Sequence, residues 1–325
     1  MPSQTSFLGW TLACAMGCSG SLALLPLAGA TAPPSTPPTV VWGADGHRMA
    51  ARAAVEALPR GVPRFFRQAG EQLAWLGPEP DRWKERQFRE MDQAWRYDHY
   101  IDLENIPGGS QVTEARDRYA FIRALIRDGV DRPERDVGFL PFAILELQQR
   151  LTSLWTRWHE ANSRRERGWI EARIIEDAGI LGHYVTDASQ PHHTTIHFNG
   201  WNASSGASAP NPEGFTEERG FHGRFESAFV SAHVREGTVR DRVPSRPTDL
   251  DEGNGARGAV WRYIQETHGE VETLYRLEKQ FGFDPSRPPP TAARDFAEAR
   301  LAAGAAMLRD LWWTAYLRGR EDAQP

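Results

Sequence analysis

The chain has 325 residues, of which 40% are hydrophobic and 25% are charged, so it is long enough to bury a full core in one or two domains. Its formal net charge of -5 argues against a protein that coats polyanions through bulk charge. Metal cations held in a pocket can still make the electrostatic potential there positive. The net charge of the chain therefore does not say whether the substrate is an anion or a cation.

The N-terminal segment has the features of an export signal. Residues 1–30 contain no Lys, Arg, Asp or Glu and end in Ala-Gly-Ala, which resembles a signal-peptidase site. We predict a cleaved signal peptide and a secreted or periplasmic protein; an uncleaved membrane anchor is the alternative, because no basic residue precedes the apolar run. Cys14 and Cys18 both lie in this segment. The mature chain would therefore hold metals only through His, Asp, Glu and main-chain groups.

Helical periodicity dominates the rest of the chain. Residues 31–41 are rich in Pro and Thr and predict an extended linker. Beyond it no stretch alternates as a strand would, so residues 42–320 are predicted to form one all-α domain. Within the second predicted helix, Ile122, Leu125 and Ile126 are expected to face the core. Helices are predicted over 46–58, 119–126, 138–158, 169–188, 221–234, 256–281 and 292–318, with a loop over 194–219.

Two of these helices place an imidazole and a carboxylate four residues apart, His183 with Asp187 and His222 with Glu226. Residues at this spacing lie on one face of a helix, and nitrogen and oxygen ligands suit zinc. A single pair of this kind is ordinary on a helix surface. Two pairs, with a further histidine after the Gln-Pro step that ends the first helix, favour a metal site.

Five motifs follow one another in a fixed order along the chain. They are Trp-Gly-x-x-Gly-His from residue 42, Pro-Asp-x-x-Lys from 80, His-Tyr-Ile-Asp from 99, His-x-x-x-Asp-x-x-Gln-Pro-x-His from 183 and His-x-x-x-Glu from 222. This order resembles the superfamily of zinc-dependent phospholipase C and the S-one/P-one single-strand nucleases, and is closest to the nuclease branch. Members of that superfamily hydrolyse phosphate esters with three zinc ions in a cleft of a helical domain.

The resemblance implies a ligand set for three zinc ions. One ion would be held by Asp81, His99, His183 and Asp187, its neighbour by main-chain groups of Trp42 with His47 and the shared Asp187, and the third by His193, His222 and Glu226. The family spacing selects His193 over His192, which is predicted to be structural. In the family this Trp is the mature N-terminus, whereas cleavage after residue 30 leaves eleven residues ahead of it. A second processing step, or a differently held zinc, is therefore expected.

The resemblance also implies a mechanism. A phosphodiester anion requires neutralised oxygens, a water ionised near neutral pH and a stabilised leaving alkoxide, and clustered zinc supplies all three. Asp81 and Asp187 would be the catalytic carboxylates, with a hydroxide bridging two zinc ions at Asp187. Lys84 resembles a family cation that touches the phosphate; a solvated helix lysine is the alternative.

Three further residues would bind substrate if the resemblance holds. Tyr100 would stack a base, with a core tyrosine as the alternative, and Asn199 or Asn202 would contact a phosphate. We therefore expect an exported hydrolase of single-stranded DNA or RNA or of nucleotides, an endonuclease with 3'-nucleotidase activity as an option, and no protein partner is implied. One alternative is a phospholipase C on phosphatidylcholine-type lipids, favoured by Tyr184 and by Glu226 in place of Asp. The other is a non-catalytic zinc-stabilised binding module.

Three histidines have no partner at a metal-ligand spacing and are predicted to be structural: His159, His233 and His268.

Overall fold

The computed structural model describes residues 43–85, 87–202, 209–251 and 255–323. These residues belong to one compact unit, Thr39–Pro325. The predicted signal peptide, the predicted linker and Trp42 lie outside the described residues. Helices account for the regular structure of the described residues, and no strand occurs among them, so the all-α prediction is confirmed.

The α-helices of the described residues are, in chain order, α1 (Ala44–Glu56), α2 (Arg64–Arg67), α3 (Gly70–Leu76), α4 (Glu79–Arg82), α5 (Arg89–Trp95), α6 (Arg118–Arg127), α7 (Pro133–Asp136), α8 (Leu140–Glu160), α9 (Arg164–Asp187), α10 (Phe221–Gly223), α11 (Val230–His233), α12 (Glu236–Arg242), α13 (Gly255–His268), α14 (Val271–Phe281) and α15 (Thr291–Asp322). A π-helical turn, Arg224–Phe229, joins α10 to α11. Short 3₁₀ turns occupy Arg96–His99, Leu103–Asn105, Val112–Glu114 and Pro191–Thr194.

Each predicted helix corresponds to helical structure, with its ends displaced by a few residues. One prediction is wrong in its continuity, because the predicted helix 256–281 is divided at Gly269 and Glu270 into α13 and α14. The short helices α2 to α5, α7 and α12 are not predicted. They have four to seven residues each, which is too short for a helical period to emerge from the sequence.

One predicted core position is wrong. Helix α6 buries Phe121 and Leu125, which are four residues apart, whereas Ile126 is 55% exposed. Each step along an α-helix rotates the side chain by about 100°. The residue after Leu125 is therefore turned away from the contact that Phe121 and Leu125 make.

The core lies among four long helices. Helix α15 packs against α8, α1 and α9, and α8 packs against α9, while α3 and α12 cover α1. Trp155 of α8, Leu181 of α9 and Leu311 of α15 are buried within it. Over the described ranges, none of the helices combines the length and the apolar character that a bilayer crossing requires.

Helix α9 brings the predicted ligands of its last two turns into the interior. It begins at Arg164, and the hydroxyl of the preceding Ser163 accepts the N–H of Glu166 and caps the helix. It ends at Asp187, and the 3₁₀ turn Pro191–Thr194 follows because Pro cannot continue a helix. His183 and Asp187 are both fully buried at this end.

A close approach between α3 and α9 positions this end of α9. A Cβ atom at Gly179 would lie 2.4 Å from Leu76 Cβ, so no larger residue fits without displacing α3. We expect Gly179→Ala to lower the free energy of unfolding by about 1–3 kcal/mol, as overpacking does. Gly168 of the same helix is exposed and its Cβ would meet no atom within 4 Å. Gly168→Ala is the matched control and should raise stability by about 0.5–1 kcal/mol, as measured by denaturant unfolding. Equal effects at the two positions would contradict the packing argument.

Candidate metal centre

Asp187 is the carboxylate at which three imidazoles meet. Its Oδ2 lies 3.0 Å from His99 Nδ1 and 3.1 Å from His183 Nε2, and its Oδ1 lies 3.5 Å from His47 Nε2. His47 comes from α1, His99 from the 3₁₀ turn Arg96–His99, and His183 from α9. All four side chains are buried. Residues that are far apart in sequence thus converge at one carboxylate.

Asp81 is a second carboxylate near two of these imidazoles. Its Oδ1 is 3.6 Å from His183 Nε2 and 3.8 Å from His99 Nδ1. Lys84 Nζ lies 2.7 Å from the same oxygen, which places a cation at the edge of the cluster. Two groups that could hold a metal ion result, sharing His183: His47, Asp81 and His183, and His99, His183 and Asp187.

A third group that could hold a metal ion lies at the start of the helical stretch after the loop. His222 Nε2 is 2.7 Å from Glu226 Oε2 and 3.2 Å from His193 Nε2. His193 Nε2 is 3.5 Å from Glu226 Oε2, and His193 Nδ1 is 3.9 Å from Asp187 Oδ2. His193 therefore joins this group to the Asp187 cluster. Glu226 belongs to the π-helical turn, a departure from α-helical geometry that often accompanies functional sites.

Main-chain carbonyls select the ring tautomers of two of these histidines. His183 Nδ1 lies 2.7 Å from the carbonyl oxygen of Gly77, and His193 Nδ1 lies 2.6 Å from that of His99. A carbonyl only accepts, so each Nδ1 donates a proton to it. In the neutral ring the lone pair is then on Nε2, which faces the carboxylates in both cases. A histidine that donates its other nitrogen to a carbonyl is the usual arrangement around a bound metal.

The spacing of the candidate ligand atoms fits a tetrahedral ion. Four ligands at about 2.0–2.1 Å from zinc lie about 3.3 Å from one another. The contacts within the clusters run from 2.7 Å, between His222 and Glu226, to 3.8 Å, between His99 and Asp81. Two imidazole nitrogens lie only 2.9 Å apart, His183 Nε2 and His99 Nδ1. His183 Nε2 carries a lone pair there, so this contact is satisfied either by a proton on His99 Nδ1 or by a cation that both nitrogens share.

Several polar atoms of the cluster have no hydrogen-bond partner within the described ranges, although they are buried. They include both ring nitrogens of His47, His99 Nε2, Asp187 Oδ1 and Glu226 Oε1. An unsatisfied buried polar group costs about 1–3 kcal/mol. A cation bound among these residues would satisfy the carboxylate oxygens and one ring nitrogen of each histidine, since the other nitrogen of a neutral ring carries a proton. The residues present therefore fit a metal centre.

Burial keeps three of the candidate histidines neutral, whereas at His183 the charges of Asp187 and Asp81 outweigh burial and raise the pKa. Burial is the main cause that lowers the pKa of His47, of His99 and of His222 to about 3 in each case, so these rings are neutral near pH 7. For Asp187, burial alone would raise the pKa. The charges of His183 and His193 outweigh it and hold the pKa well below its ordinary value. Neutral imidazoles and an ionised carboxylate are what a zinc ion requires.

Glu226 is the exception and gives the third group a pH dependence. Burial raises the pKa of Glu226 to about 7, so below that pH the metal-free protein holds a proton that a metal must displace. We expect zinc affinity at this group to fall as pH drops below 7, by at most about tenfold per pH unit because one proton competes. Calorimetric zinc titrations of Asp187→Asn at pH 8, 7 and 6 test this, because the variant keeps all three ligands of the third group. Burial raises the pKa of Glu226 most and the charge of Asp187 raises it least, so removal of that charge should lower the pKa only slightly. Glu226→Gln in the same background removes the competing proton, and an unchanged pH dependence there would contradict the assignment.

Two residues expected to bind substrate have main-chain partners. The hydroxyl of Tyr100 donates to the carbonyl of Arg135 at 2.6 Å. Asn202, in the left-handed conformation with φ 61°, exchanges hydrogen bonds of 2.7 and 3.0 Å with the main chain of Ala209. The roles of Tyr100 in base stacking and of Asn202 in phosphate binding stay predictions.

Asn199 is hydrogen-bonded to the segment that carries His222 of the third group. Its Oδ1 accepts the N–H groups of Gly220 at 2.7 Å and of His222 at 3.4 Å. These bonds hold the start of the helical stretch that carries His222. In the part of the chain that the structure describes, its amide nitrogen has no partner, so a contact with a phosphate stays a prediction.

His192 lies beside the third group, with its ring 5.0 Å from that of His222, and packs among aromatic side chains. Its ring packs edge-on against Phe221 and Tyr275, at 4.8 and 5.8 Å between centroids. His192 is not among the groups that could hold a metal ion. Three supporting groups are not predicted from the sequence: the carbonyls of Gly77 and His99, and the side chain of Gln190. Only the Gln-Pro motif signalled the last of these, because carbonyl contacts across the fold leave no pattern in the sequence.

Gly43, the first residue that the structure describes, lies beside the third group. The N–H of Gly43 donates to the carbonyl of Glu226 at 3.3 Å. Trp42, the remaining predicted ligand, lies outside the described residues.

Comparison of the chain with protein-family models, with curated proteins and with solved structures finds no match. What the structure shows directly is a set of buried His and carboxylate groups that could hold metal ions.

Proposed function

We propose that this chain is an exported zinc-dependent phosphodiesterase that cleaves single-stranded nucleic acid and binds three zinc ions. The observation that carries the proposal is the position of Asp187. Its two oxygens face His47 on one side and His99 with His183 on the other, as a carboxylate shared by two ions would. The nitrogen-rich ligand set favours zinc over magnesium or calcium, which prefer oxygen ligands.

The chain's residues would divide the work of hydrolysis. The bound zinc ions would neutralise the phosphate, ionise a water and stabilise the leaving oxygen. The neutral imidazoles of His47, His99 and His222 cancel none of the metal charge, so a phosphate anion would be attracted although the whole chain is acidic. Lys84, held by Asp81, adds a further positive charge at the edge of the centre.

Exposed aromatic rings beside the centre support nucleic acid as the substrate. Phe198 is 37% exposed, and its ring lies 6.4 Å from that of His222. On the other side, Trp83 follows Asp81 by two residues and contacts the exposed Trp95 at 5.8 Å between centroids. Bases stack on such rings without sequence preference, with about 1–3 kcal/mol per base.

A second candidate, phospholipase C on phosphatidylcholine-type lipids, is favoured by a groove of about 450 Å³. The indoles of Trp75 and Trp83 line it together with the carboxylates of Glu79 and Glu176. Aromatic faces with nearby carboxylates suit a quaternary ammonium group. The two candidates share the metal chemistry and differ in the substrate that the surface admits.

Cleavage assays separate the candidates. We expect the purified protein to cut single-stranded DNA and RNA, to lose this activity with a chelator and to regain it when zinc is added back. Duplex DNA is the control substrate, because its stacked bases are not free to contact exposed rings. Release of phosphocholine from phosphatidylcholine vesicles without nucleic-acid cleavage would favour the second candidate. Activity that survives complete removal of metal would overturn both.

A further inference from the structure

Gln190 has a fully occupied amide in the interior, next to the third candidate metal group. The side chain is completely buried. Its Nε2 lies 3.2 Å from Glu226 Oε2 and 3.3 Å from His192 Nδ1, and its Oε1 accepts the N–H of His192 at 3.0 Å. Each polar atom of this amide thus has a partner.

These contacts fix the orientation of the amide. If it were flipped, its oxygen would face the Glu226 carboxylate and the lone pair of His192 Nδ1, and its NH₂ group would face the main-chain N–H of His192. Both contacts would be repulsive, because like groups would meet. One N–H of Gln190 is therefore held toward Glu226.

Glu226 needs such a partner more than the other carboxylates of the centre do. Its side chain has three rotatable bonds, and Oε1 has no hydrogen-bond partner within the described ranges. Oε2 receives the bond from Gln190 on the same oxygen that lies 2.7 Å from His222 Nε2. Carboxylates that bind metals are commonly held by a hydrogen bond of this kind, which sets their direction.

We propose that Gln190 is a positioning residue, which aims the Glu226 carboxylate at His193 and His222 and thereby sets the zinc affinity of the third group alone. The inference rests on the metal centre of the proposed function and is independent of the substrate. The other two groups contain neither Glu226 nor any atom bonded to the side-chain amide of Gln190. The bond from the Gln190 N–H to the carbonyl of Asp187 belongs to the main chain, so a change of the side chain leaves it in place. Their zinc affinity should not depend on this amide.

The test replaces Gln190 by Met, which keeps the length of the side chain and removes the donor. We expect zinc affinity at one site to fall by about 10- to 100-fold, with the other two sites unchanged. At limiting free zinc, the metal content of Gln190→Met should drop by one ion per chain relative to the unsubstituted protein. Zinc titration with metal quantification measures this without substrate, so a failure to cleave nucleic acid would leave the result intact.

Two further variants keep the test decisive. Gln148→Met is the matched control, because Gln148 is a buried glutamine of α8 whose amide donates to Thr152 and not to a candidate ligand. It should leave all three zinc affinities unchanged. In a Glu226→Ala background, Gln190→Met should have no additional effect on zinc binding, since Gln190 acts through Glu226. Unchanged loading in Gln190→Met, a loss spread equally over all sites, or a further loss in the Glu226→Ala background would overturn the inference.

Discussion

Replacing Asp187 by Asn is expected to reduce the rate of phosphodiester cleavage on the order of 10³-fold, because the charged oxygen shared between two metal groups is lost. The carboxylate oxygens lie 3.0 to 3.5 Å from ring nitrogens of His99, His183 and His47. An amide of the same shape offers only one acceptor and no charge. The two ions that Asp187 would share should therefore bind weakly in the variant.

Metal content distinguishes this explanation from general damage to the protein. We expect Asp187→Asn to retain about one zinc ion per chain, at His193, His222 and Glu226, where the protein with Asp187 binds three. Asp177→Asn is the matched control, because Asp177 is a buried carboxylate of the same helix that pairs with Arg150 and lies outside the metal groups. Full zinc content and full activity in Asp187→Asn would contradict the central role of this carboxylate.

Replacing Lys84 by Met is expected to lower the cleavage rate by about 10²- to 10³-fold while the zinc content stays unchanged. Lys84 Nζ lies 2.7 Å from Asp81 Oδ1 at the edge of the cluster, where it would face the charge that develops on the phosphate. Only two of the chain's 38 Lys and Arg residues are lysines, Lys84 and Lys279. A lysine presents a compact charge that a planar guanidinium does not reproduce.

Steady-state kinetics and metal quantification on the same preparation test the role of Lys84. Lys84→Arg should recover part of the activity, because it keeps the positive charge and changes its geometry. Lys279→Met is the control, since Lys279 bonds to the main-chain carbonyl of Glu213 and to no residue of the centre. A rate unchanged in Lys84→Met would remove Lys84 from the mechanism, and a loss of zinc would assign it a structural role.

Local patterns could be predicted well because they depend on helix geometry alone. The pairs His183 with Asp187 and His222 with Glu226 follow from a spacing of four residues, and in the structure each pair lies within 3.1 Å. The long helices α8, α9 and α15 were predictable for the same reason. Ile126 shows the limit of this logic, since apolar character alone does not say which residues of a helix meet the core.

Convergence across the fold could not be derived from spacing. His47, Asp81 and His99 come from three separate elements, and only the order of the motifs suggested that they meet. The hydrogen bonds of Tyr100 and Asn202 depend on loop conformations that no pattern encodes. The same holds for the π-helical turn at Glu226, because its sequence does not differ visibly from that of an α-helix.

Anomalous X-ray diffraction, recorded on both sides of the zinc absorption edge from crystals of the zinc-loaded protein, tests the metal centre most directly. We expect three zinc peaks. One is expected among His99, His183 and Asp187, a second beside His47 on the other side of Asp187, and a third among His193, His222 and Glu226. An absence of anomalous density between these side chains, or zinc bound only elsewhere on the surface, would contradict the proposed metal centre and the hydrolase that depends on it.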